Sequence, residues 1–367
     1  MLTNFKSIFI GALVVALGGG AVFFARGWAI SGNDQVEQEN AGVEKPMPVG
    51  KIVTVVVSSN LESGGDCHDH YTDGCDLFTA QVDLSTATVT DLKQITNNEV
   101  ADISPVLSRD GQTVYYTQSV DGRDSAMKIS LNGGAATLLS AEATHPSPTS
   151  DESEVYFVLR KGFTLAKFTG SVVEKIDEVT SAHEVQVSPS GLLAFYRTIK
   201  GGEGRGSGTA QPMIYNPASG ELIEVSEANG TAHCFWNYDG SLLYCNNRHD
   251  GGIIAFPIAT DGSAGAYSVA IPFPKPSEMT QVDPRFDKDC IVTSVEYGSF
   301  CDDTHVLLSA ACYTADKVDG EQEQRFTEVV IYDTESGDFL PMGKNILESY
   351  GNTDAMTWTG ACANIGL

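Results

Sequence analysis

The sequence predicts an all-β fold, a six-bladed β-propeller preceded by an N-terminal transmembrane helix. Three observations predict it: a four-strand unit that recurs along the chain, a composition rich in turn residues, and one long apolar segment near the N-terminus. The 367 residues include 37 glycines and 14 prolines, and this composition favours strands joined by short turns over helices.

The N-terminal segment is predicted to anchor the chain in a membrane. Residues 5–25 form a nearly uninterrupted apolar run, with Lys6 near its start and Arg26 directly after it, and such a run is long enough to span a bilayer. The alternative is a cleaved signal peptide, with Gly19-Gly20-Ala21 as the candidate cleavage site. Because more apolar residues follow that site, we assign residues 1–30 to an uncleaved anchor in preference to a signal peptide.

The segment after the anchor is predicted to be a flexible spacer. Residues 31–50 are polar and acidic and contain proline, a composition that does not support a packed core. The folded body is therefore expected over residues 51–367. All eight cysteines lie in it, and an even number is typical of disulfides formed in an oxidising compartment. We expect a single-pass protein of the cell membrane whose body lies in the periplasm or the extracellular space.

The charge excludes one class of partner. The formal net charge is −26 and the isoelectric point is near 4.4, whereas binding to nucleic acid or anionic headgroups needs clustered Lys and Arg. Nucleic acid is excluded as the main partner, and contact with the membrane is expected through the N-terminal helix.

One unit of about 40 to 50 residues recurs along the body. Its clearest copy, residues 102–140, contains a strand, an Asp-Gly turn, a strand with β-branched and aromatic residues, a third strand, a Gly-Gly turn and a fourth strand. Weaker copies begin at His145, His183 and His233, and an irregular one begins at Asp283. Four antiparallel strands per repeat are typical of a propeller blade.

The two ends of the body are predicted to share a blade. Strands near residues 52–57, 77–84 and 89–95 make three quarters of a blade, and one orphan strand near residues 354–359 ends the chain. We expect the orphan strand to supply the missing innermost strand, which closes the ring at about six blades and removes its open edges.

The turn motifs resemble those of a known family. Ser104-Pro105, Ser108-Arg109-Asp110-Gly111 and Val114-Tyr115-Tyr116 resemble the Ser-Pro-Asp-Gly repeat of TolB-like propellers, and Ser188-Pro189-Ser190-Gly191 is the next closest match. The resemblance covers most of residues 51–367. It implies a blade structure and does not imply an activity.

Four disulfides are predicted. Cys234 and Cys245 flank the Asp239-Gly240 turn at equal distances, and residues opposed on a hairpin lie close enough to be bridged. Cys67 and Cys75 bracket a loop of the closing blade, where a local bridge would stabilise the loop. The sequence leaves the pairing of the other four cysteines open, and we favour Cys290–Cys312 and Cys301–Cys362.

A ring of polar residues is predicted at one mouth of the central channel, where the innermost strand of each blade begins. Aligned on the turns, its members after Ser104 are His145, His183 with Glu184, His233, Asp283 or Asp289, and Asp354. Imidazole and carboxylate are ligands for divalent metals such as Ca, Mn or Zn, and the resemblance extends to oligogalacturonate lyases, which carry a His-rich metal site in the channel. The alternative that we favour is that these residues cap backbone groups and face channel water.

A second cluster of candidate ligands lies in the loop between Cys67 and Cys75 and includes Asp66, Asp69 and Asp73. A calcium site is one interpretation. The loop lacks the EF-hand pattern, so a solvated loop closed by a disulfide is the interpretation that we favour.

Two functions follow. The first is a non-enzymatic scaffold that binds an envelope protein, a peptide or a glycan and has no firm cofactor. The second is a metal-dependent polysaccharide lyase or hydrolase that uses the His and acid ring. The sequence has no Gly-x-Ser-x-Gly motif, and Ser125 and Lys128, which match a Ser-x-x-Lys pattern, fall on a predicted strand. We therefore favour the scaffold.

Overall fold

Four-stranded sheets make up the folded body. A computed structural model of the chain describes residues 51–62, 74–199, 209–225, 230–247, 251–286, 289–290, 292–318, 321–352 and 355–363. In these residues the strands form six sheets, each with four antiparallel strands, and the sheets belong to one compact unit, Val49–Leu367. The predicted all-β, six-bladed propeller is confirmed.

The first three blades follow the predicted repeat. Blade 1 contains β1 (Ile52–Ser59), β2 (Asp76–Asp83) and β3 (Thr88–Gln94). Blade 2 contains β4 (Ala101–Leu107), β5 (Thr113–Val120), β6 (Arg123–Ser130) and β7 (Thr137–Ala141). Blade 3 contains β8 (Ala143–Pro148), β9 (Val155–Leu159), β10 (Thr164–Phe168) and β11 (Val173–Lys175).

The last three blades complete the ring, and the longest strands lie in blade 6. Blade 4 contains β12 (Ala182–Val187), β13 (Leu193–Ile199), β14 (Thr209–Asn216) and β15 (Glu221–Glu224). Blade 5 contains β16 (Thr231–Trp236), β17 (Leu242–Asn247), β18 (Gly252–Pro257) and β19 (Ser268–Pro272). Blade 6 contains β20 (Val292–Phe300), β21 (His305–Val318), β22 (Glu321–Asp333) and β23 (Phe339–Leu340).

The ring closes as predicted. The last strand, β24 (Thr357–Cys362), pairs antiparallel with β1 and completes blade 1 in the order β24-β1-β2-β3. Val55 lies opposite Cys362, and the amide of Ala363 donates to the carbonyl of Thr54 at 2.8 Å. The strand begins three residues later than predicted, and its place as the innermost strand is confirmed.

The turns between first and second strands share one hydrogen-bonding pattern. Asp110 accepts from the Ser108 hydroxyl at 2.6 Å and from the amide of Gln112 at 2.9 Å. Asp151 and Asp239 accept equivalent bonds from the residue two positions later. A short polar side chain that accepts a hydrogen bond from the backbone amide two residues later stabilises a tight turn. This requirement explains why the repeat has a characteristic residue type at this position.

Apolar side chains of neighbouring blades interlock between the sheets. In β5, Val114 and Tyr116 pack with Leu77 of blade 1, whereas Tyr115 packs with Phe157 of blade 3. Successive residues of a strand point to opposite faces, so each central strand contributes to two cores. Each fully buried side chain of this size stabilises the fold by about 1.5–3 kcal/mol.

Two short helices interrupt the strands, although the sequence pattern favoured strands throughout the body. Helix α1 (Pro276–Val282) begins at a proline, and α2 (Met342–Tyr350) ends at Gly351, whose φ is 84°. Proline in the first turn and a left-handed glycine after the last turn are typical helix boundaries. The two helices are 7 and 9 residues long, too short for helical periodicity to stand out from the surrounding strands.

A buried charge cluster lies beside the closing strand. The Arg285 guanidinium donates to Asp283 at 2.7 Å, to the carbonyl of Ala355 at 2.8 Å and to the Glu328 carboxylate. The Thr357 hydroxyl also donates to Glu328. Burial raises the pKa of Glu328 to about 7 although Arg285 opposes the shift, and the nearby Asp283 carboxylate adds to the rise. The cluster joins β22 and the segment after α1 to the closing strand.

Three of the predicted disulfides are present. They are Cys234–Cys245, Cys290–Cys312 and Cys301–Cys362, with Cα–Cα distances of 4.1, 5.4 and 4.9 Å. Cys75 is also disulfide-bonded, and Cys67 lies outside the described residues. The third bridge links blade 6 to the closing strand, so it reinforces the closure covalently.

The predicted anchor and spacer, residues 1–30 and 31–50, lie outside the described residues. Over the part of the chain that the structure describes, no helix has both the length and the apolar character needed to cross a membrane.

Candidate functional site

The innermost strands of four consecutive blades share an unusual backbone feature. The residue six positions before each turn has a left-handed conformation, with φ between 51° and 54°. These residues are Ser104 in β4, His145 in β8, Glu184 in β12 and His233 in β16. The pairing of each strand with its neighbour shifts register at the same place. Each strand therefore contains a β-bulge at this position.

The bulge re-aims one side chain per blade toward the axis. Bulges often redirect side chains beside functional sites, and a non-glycine residue with positive φ costs of order 1–3 kcal/mol. All four residues line one central cavity of about 160 Å³. They lie at the third or fourth position of their strands, which corrects the prediction that they begin them. The predicted polar ring is thus a ring of bulge residues inside the channel.

Glu184 is the buried charge of this cavity. Its Oε2 accepts from His233 Nδ1 at 2.7 Å, and its Oε1 accepts from the Tyr196 and Tyr297 hydroxyls, both at 3.4 Å. Burial acts to raise the pKa of Glu184, but the hydrogen bond and positive charge of His233, with further contributions from His145 and His183, lower it to about 2. The side chain is therefore ionised at neutral pH, and because a carboxylate only accepts, Nδ1 of His233 is the donor in this bond.

His145 lines the same cavity from blade 3, next to the blade that carries Glu184. Its Nδ1 is 2.9 Å from the Thr144 hydroxyl and its Nε2 is 3.4 Å from Ser104 Oγ. The amide of His145 also donates to Thr117 Oγ1 at 2.9 Å. These contacts hold the bulge and the imidazole in one orientation, so the ring is positioned by its own blade and by blade 2.

His183 is placed differently from the other two predicted histidines. It precedes the bulge residue Glu184 and does not line the cavity. Its ring stacks on Tyr196, with centroids 5.0 Å apart, and lies tilted against Phe163 at 4.7 Å. Burial lowers the pKa of His183. Its ring holds Tyr196, whose hydroxyl donates to Glu184, so His183 contributes to the site through Tyr196.

The sequence assigned the wrong residues to blade 6. Asp283 follows α1 and pairs with Arg285, and Asp289 is exposed in the next loop. Neither lines the cavity. The position is occupied by Tyr297 of β20, which also has positive φ. The turn that follows is made by Asp302, which accepts from the amide of Thr304 and lies five residues after Tyr297. The six-residue spacing of the other blades therefore pointed to Asp283 and Asp289 instead.

The remaining predicted ligands cannot be placed. Asp354 and the loop residues Asp66, Asp69 and Asp73 lie outside the described residues. In the chain segments that the structure does describe, no three His, Cys, Asp or Glu side chains are grouped so that they could hold a metal ion.

Most of the remaining cavity lining is uncharged. It includes hydroxyl and aromatic side chains, among them Ser147, Ser188, Ser299, Thr359, Trp236, Tyr238 and Phe300. The Trp236 indole donates to the carbonyl of Gln186 at 3.1 Å, which fixes the ring against blade 4. Arg109, exposed in the turn of blade 2, also contributes to the lining. The site can therefore donate and accept hydrogen bonds and offers apolar ring faces.

Comparisons with known proteins find similar folds among solved structures. No protein-family model matches the chain, and no curated protein matches it. TolB from Acinetobacter baumannii is similar in structure, with a TM-score of 0.55 and 13% identity over 85% of this chain and 66% of that one. This chain therefore spans slightly less than two thirds of the length of that TolB.

Two further structures are similar. A protein from Agrobacterium tumefaciens described as TolB matches with a TM-score of 0.50 and 13% identity, covering 84% of this chain and 98% of that one. A chain of a nidogen/laminin complex matches with a TM-score of 0.52 and 8% identity, covering 85% and 98%. At such identities the matches show the fold alone: the body is a TolB-like six-bladed propeller.

Proposed function

We propose that this TolB-like propeller is a membrane-anchored, extracytoplasmic scaffold whose channel cavity binds a ligand. In this proposal residues 1–30 span the cell membrane, residues 31–50 are a flexible spacer, and residues 51–367 face the periplasm or the extracellular space. The ligand is an envelope protein, a peptide or a glycan.

One observation carries the binding part of the proposal. Five inner strands each place one residue with positive φ on the same cavity. Left-handed backbone at a non-glycine residue is uncommon and clusters at ligand sites, where its cost is offset by function. If the residues only filled the channel, unbulged strands would place side chains there without that cost.

Two observations support the placement outside the cytoplasm. The three described disulfides are typical of oxidising compartments. The apolar run at residues 5–25, flanked by Lys6 and Arg26, has the length of a membrane-spanning helix.

Binding is tested by probing peptide and glycan arrays with the full-length protein. We expect capture of at least one ligand class, and about tenfold weaker binding by the Glu184→Gln variant. Glu174→Gln is the matched control, because Glu174 is an exposed residue of β11, 3.5 Å from Lys167, and does not line the cavity. Equal binding by all three proteins would place the ligand elsewhere, and no capture by any would contradict the scaffold.

The anchor is tested separately with an N-terminal epitope tag on the full chain. We expect the mature protein in the membrane fraction to retain the tag. A mature chain that begins at Val22 would instead show a cleaved signal peptide.

A further inference from the structure

The channel cavity has the size of a single six-membered ring. Its volume is about 160 Å³, and an engineered protein cavity of about 150 Å³ binds one benzene molecule. A folded peptide or two linked rings would not fit inside it. A ligand that fills the cavity is therefore a single ring. It is either a free molecule or the terminal unit of a longer ligand that extends out of the cavity.

The charges of the lining disfavour a charged ring. Among the described lining residues the one carboxylate is Glu184 and the one guanidinium is Arg109. Glu184 already accepts from His233 and two tyrosine hydroxyls, so its charge is compensated within the protein. An ammonium guest would compete with those donors, and an anionic guest would meet a buried carboxylate in a protein of net charge −26.

The polar groups of the lining suit a guest with many hydroxyls. Ser104, Ser147, Ser299 and Thr359 supply hydroxyl groups that can both donate and accept. Thr359 Oγ1 is buried and, among the described residues, has no hydrogen-bond partner. Leaving such a group unpaired is unfavourable, and turning the side chain toward a guest hydroxyl in the cavity would give it a partner.

We propose that the channel cavity binds one neutral sugar ring in its six-membered form. The aromatic rings of the lining, Tyr297 and Trp236 among them, would cover its apolar C–H face, while Glu184, His233 and the hydroxyls orient its polar edge. This inference rests on the proposed function and specifies its ligand, because the sugar would be free or the end of a glycan.

The test uses full-length protein in a polyoxyethylene detergent, since glycoside detergents would themselves supply sugar rings. Saturation-transfer NMR titrations measure binding of methyl β-D-glucopyranoside, methyl β-D-galactopyranoside, D-galacturonate, D-glucosamine, tetramethylammonium and an acetylated alanine tripeptide amide. We expect at least one neutral glycoside to bind and both charged sugars to bind at least about tenfold more weakly.

Two variants link binding to the cavity. Glu184→Gln is expected to weaken binding of the glycoside about tenfold, and Glu174→Gln to leave it unchanged. Thr359→Val is expected to weaken it by about threefold to tenfold without lowering the urea midpoint, because an unpaired buried hydroxyl is replaced by an isosteric methyl. Thr88→Val, on the exposed strand β3, is its matched control.

The results separate the inference from the proposed function. Stronger binding of galacturonate, glucosamine or tetramethylammonium than of either neutral glycoside would overturn the neutral-sugar assignment. The assignment would also be overturned if the tripeptide bound in a Glu184-dependent way and no sugar bound. The channel would then still be a ligand site. Failure of every probe, together with no capture on the arrays, would overturn both.

Discussion

At the residue scale, Glu184 shows how a buried charge is held in the channel. The carboxylate is stabilised by one short bond from His233 and two longer ones from tyrosines on β13 and β20. The sequence predicted Glu184 as a channel residue because it lies six positions before Ser190. It could not predict the partner Tyr297, which comes from the irregular sixth blade.

The pKa of Glu184 predicts a loss of stability in acid. Its pKa is about 2 in the folded protein against an ordinary value of 4.5, so between these values the unfolded chain binds more protons and stability falls as the pH falls. We expect urea unfolding of the wild-type protein to lose about 3 kcal/mol relative to Glu184→Gln between pH 5 and pH 2.

The same titration with Glu174→Gln serves as the control, because that carboxylate is exposed. A wild-type curve parallel to that of Glu184→Gln across this pH range would show that Glu184 is not stabilised as an anion.

At the element scale, the short helix α2 shows how tightly the closing blade is packed. Met342, Ile346 and Leu347 are buried in a core formed with β1 and β22. Gly343 lies against Glu328, and a Cβ at this position would overlap the Glu328 carboxylate and crowd Thr357 Oγ1. The helix can approach the charge cluster only because residue 343 has no side chain.

We therefore expect Gly343→Ala to destabilise the body by about 3 kcal/mol or more, because overpacking in a filled core forces neighbours to move. Gly265→Ala is the matched control, since a Cβ there meets its nearest neighbour at an ordinary 3.5 Å. Urea unfolding of both variants measures the difference. Equal midpoints would mean that α2 can shift away from Glu328 without cost.

At the scale of the whole molecule, the closure holds the two ends of the body together in three ways. β24 pairs with β1, the Cys301–Cys362 disulfide joins blade 6 to blade 1, and the Arg285 cluster bonds to Ala355 and Thr357. A ring of blades has no free edge only while this strand is in place.

Truncation after Gly351 removes all three interactions and is expected to abolish cooperative thermal unfolding of the body, followed by near-UV circular dichroism. Truncation after Ala363 is the control, since it retains β24 and the Ala363 to Thr54 hydrogen bond. Cys362→Ser keeps the strand and removes only the bridge, which typically costs about 2–4 kcal/mol. An unchanged melting temperature after the first truncation would contradict the role of the closure.

The sequence by itself determined the blades and the Cys234–Cys245 disulfide, because each rests on local signals: the Asp-Gly turns, alternating strands and symmetric cysteine spacing. The closing strand followed from counting the strands at the two ends of the body. The pairs Cys290–Cys312 and Cys301–Cys362 were favoured but left open by the sequence, and the tertiary structure decided them. It also placed Ser104, His145, Glu184 and His233 on one channel. Only the tertiary structure decided that these residues are bulged, that Tyr297 completes them and that Asp283 belongs to the Arg285 cluster. A positive φ at Ser, His, Glu or Tyr has no residue-type signature, since it is imposed by pairing across strands and not by the residue itself.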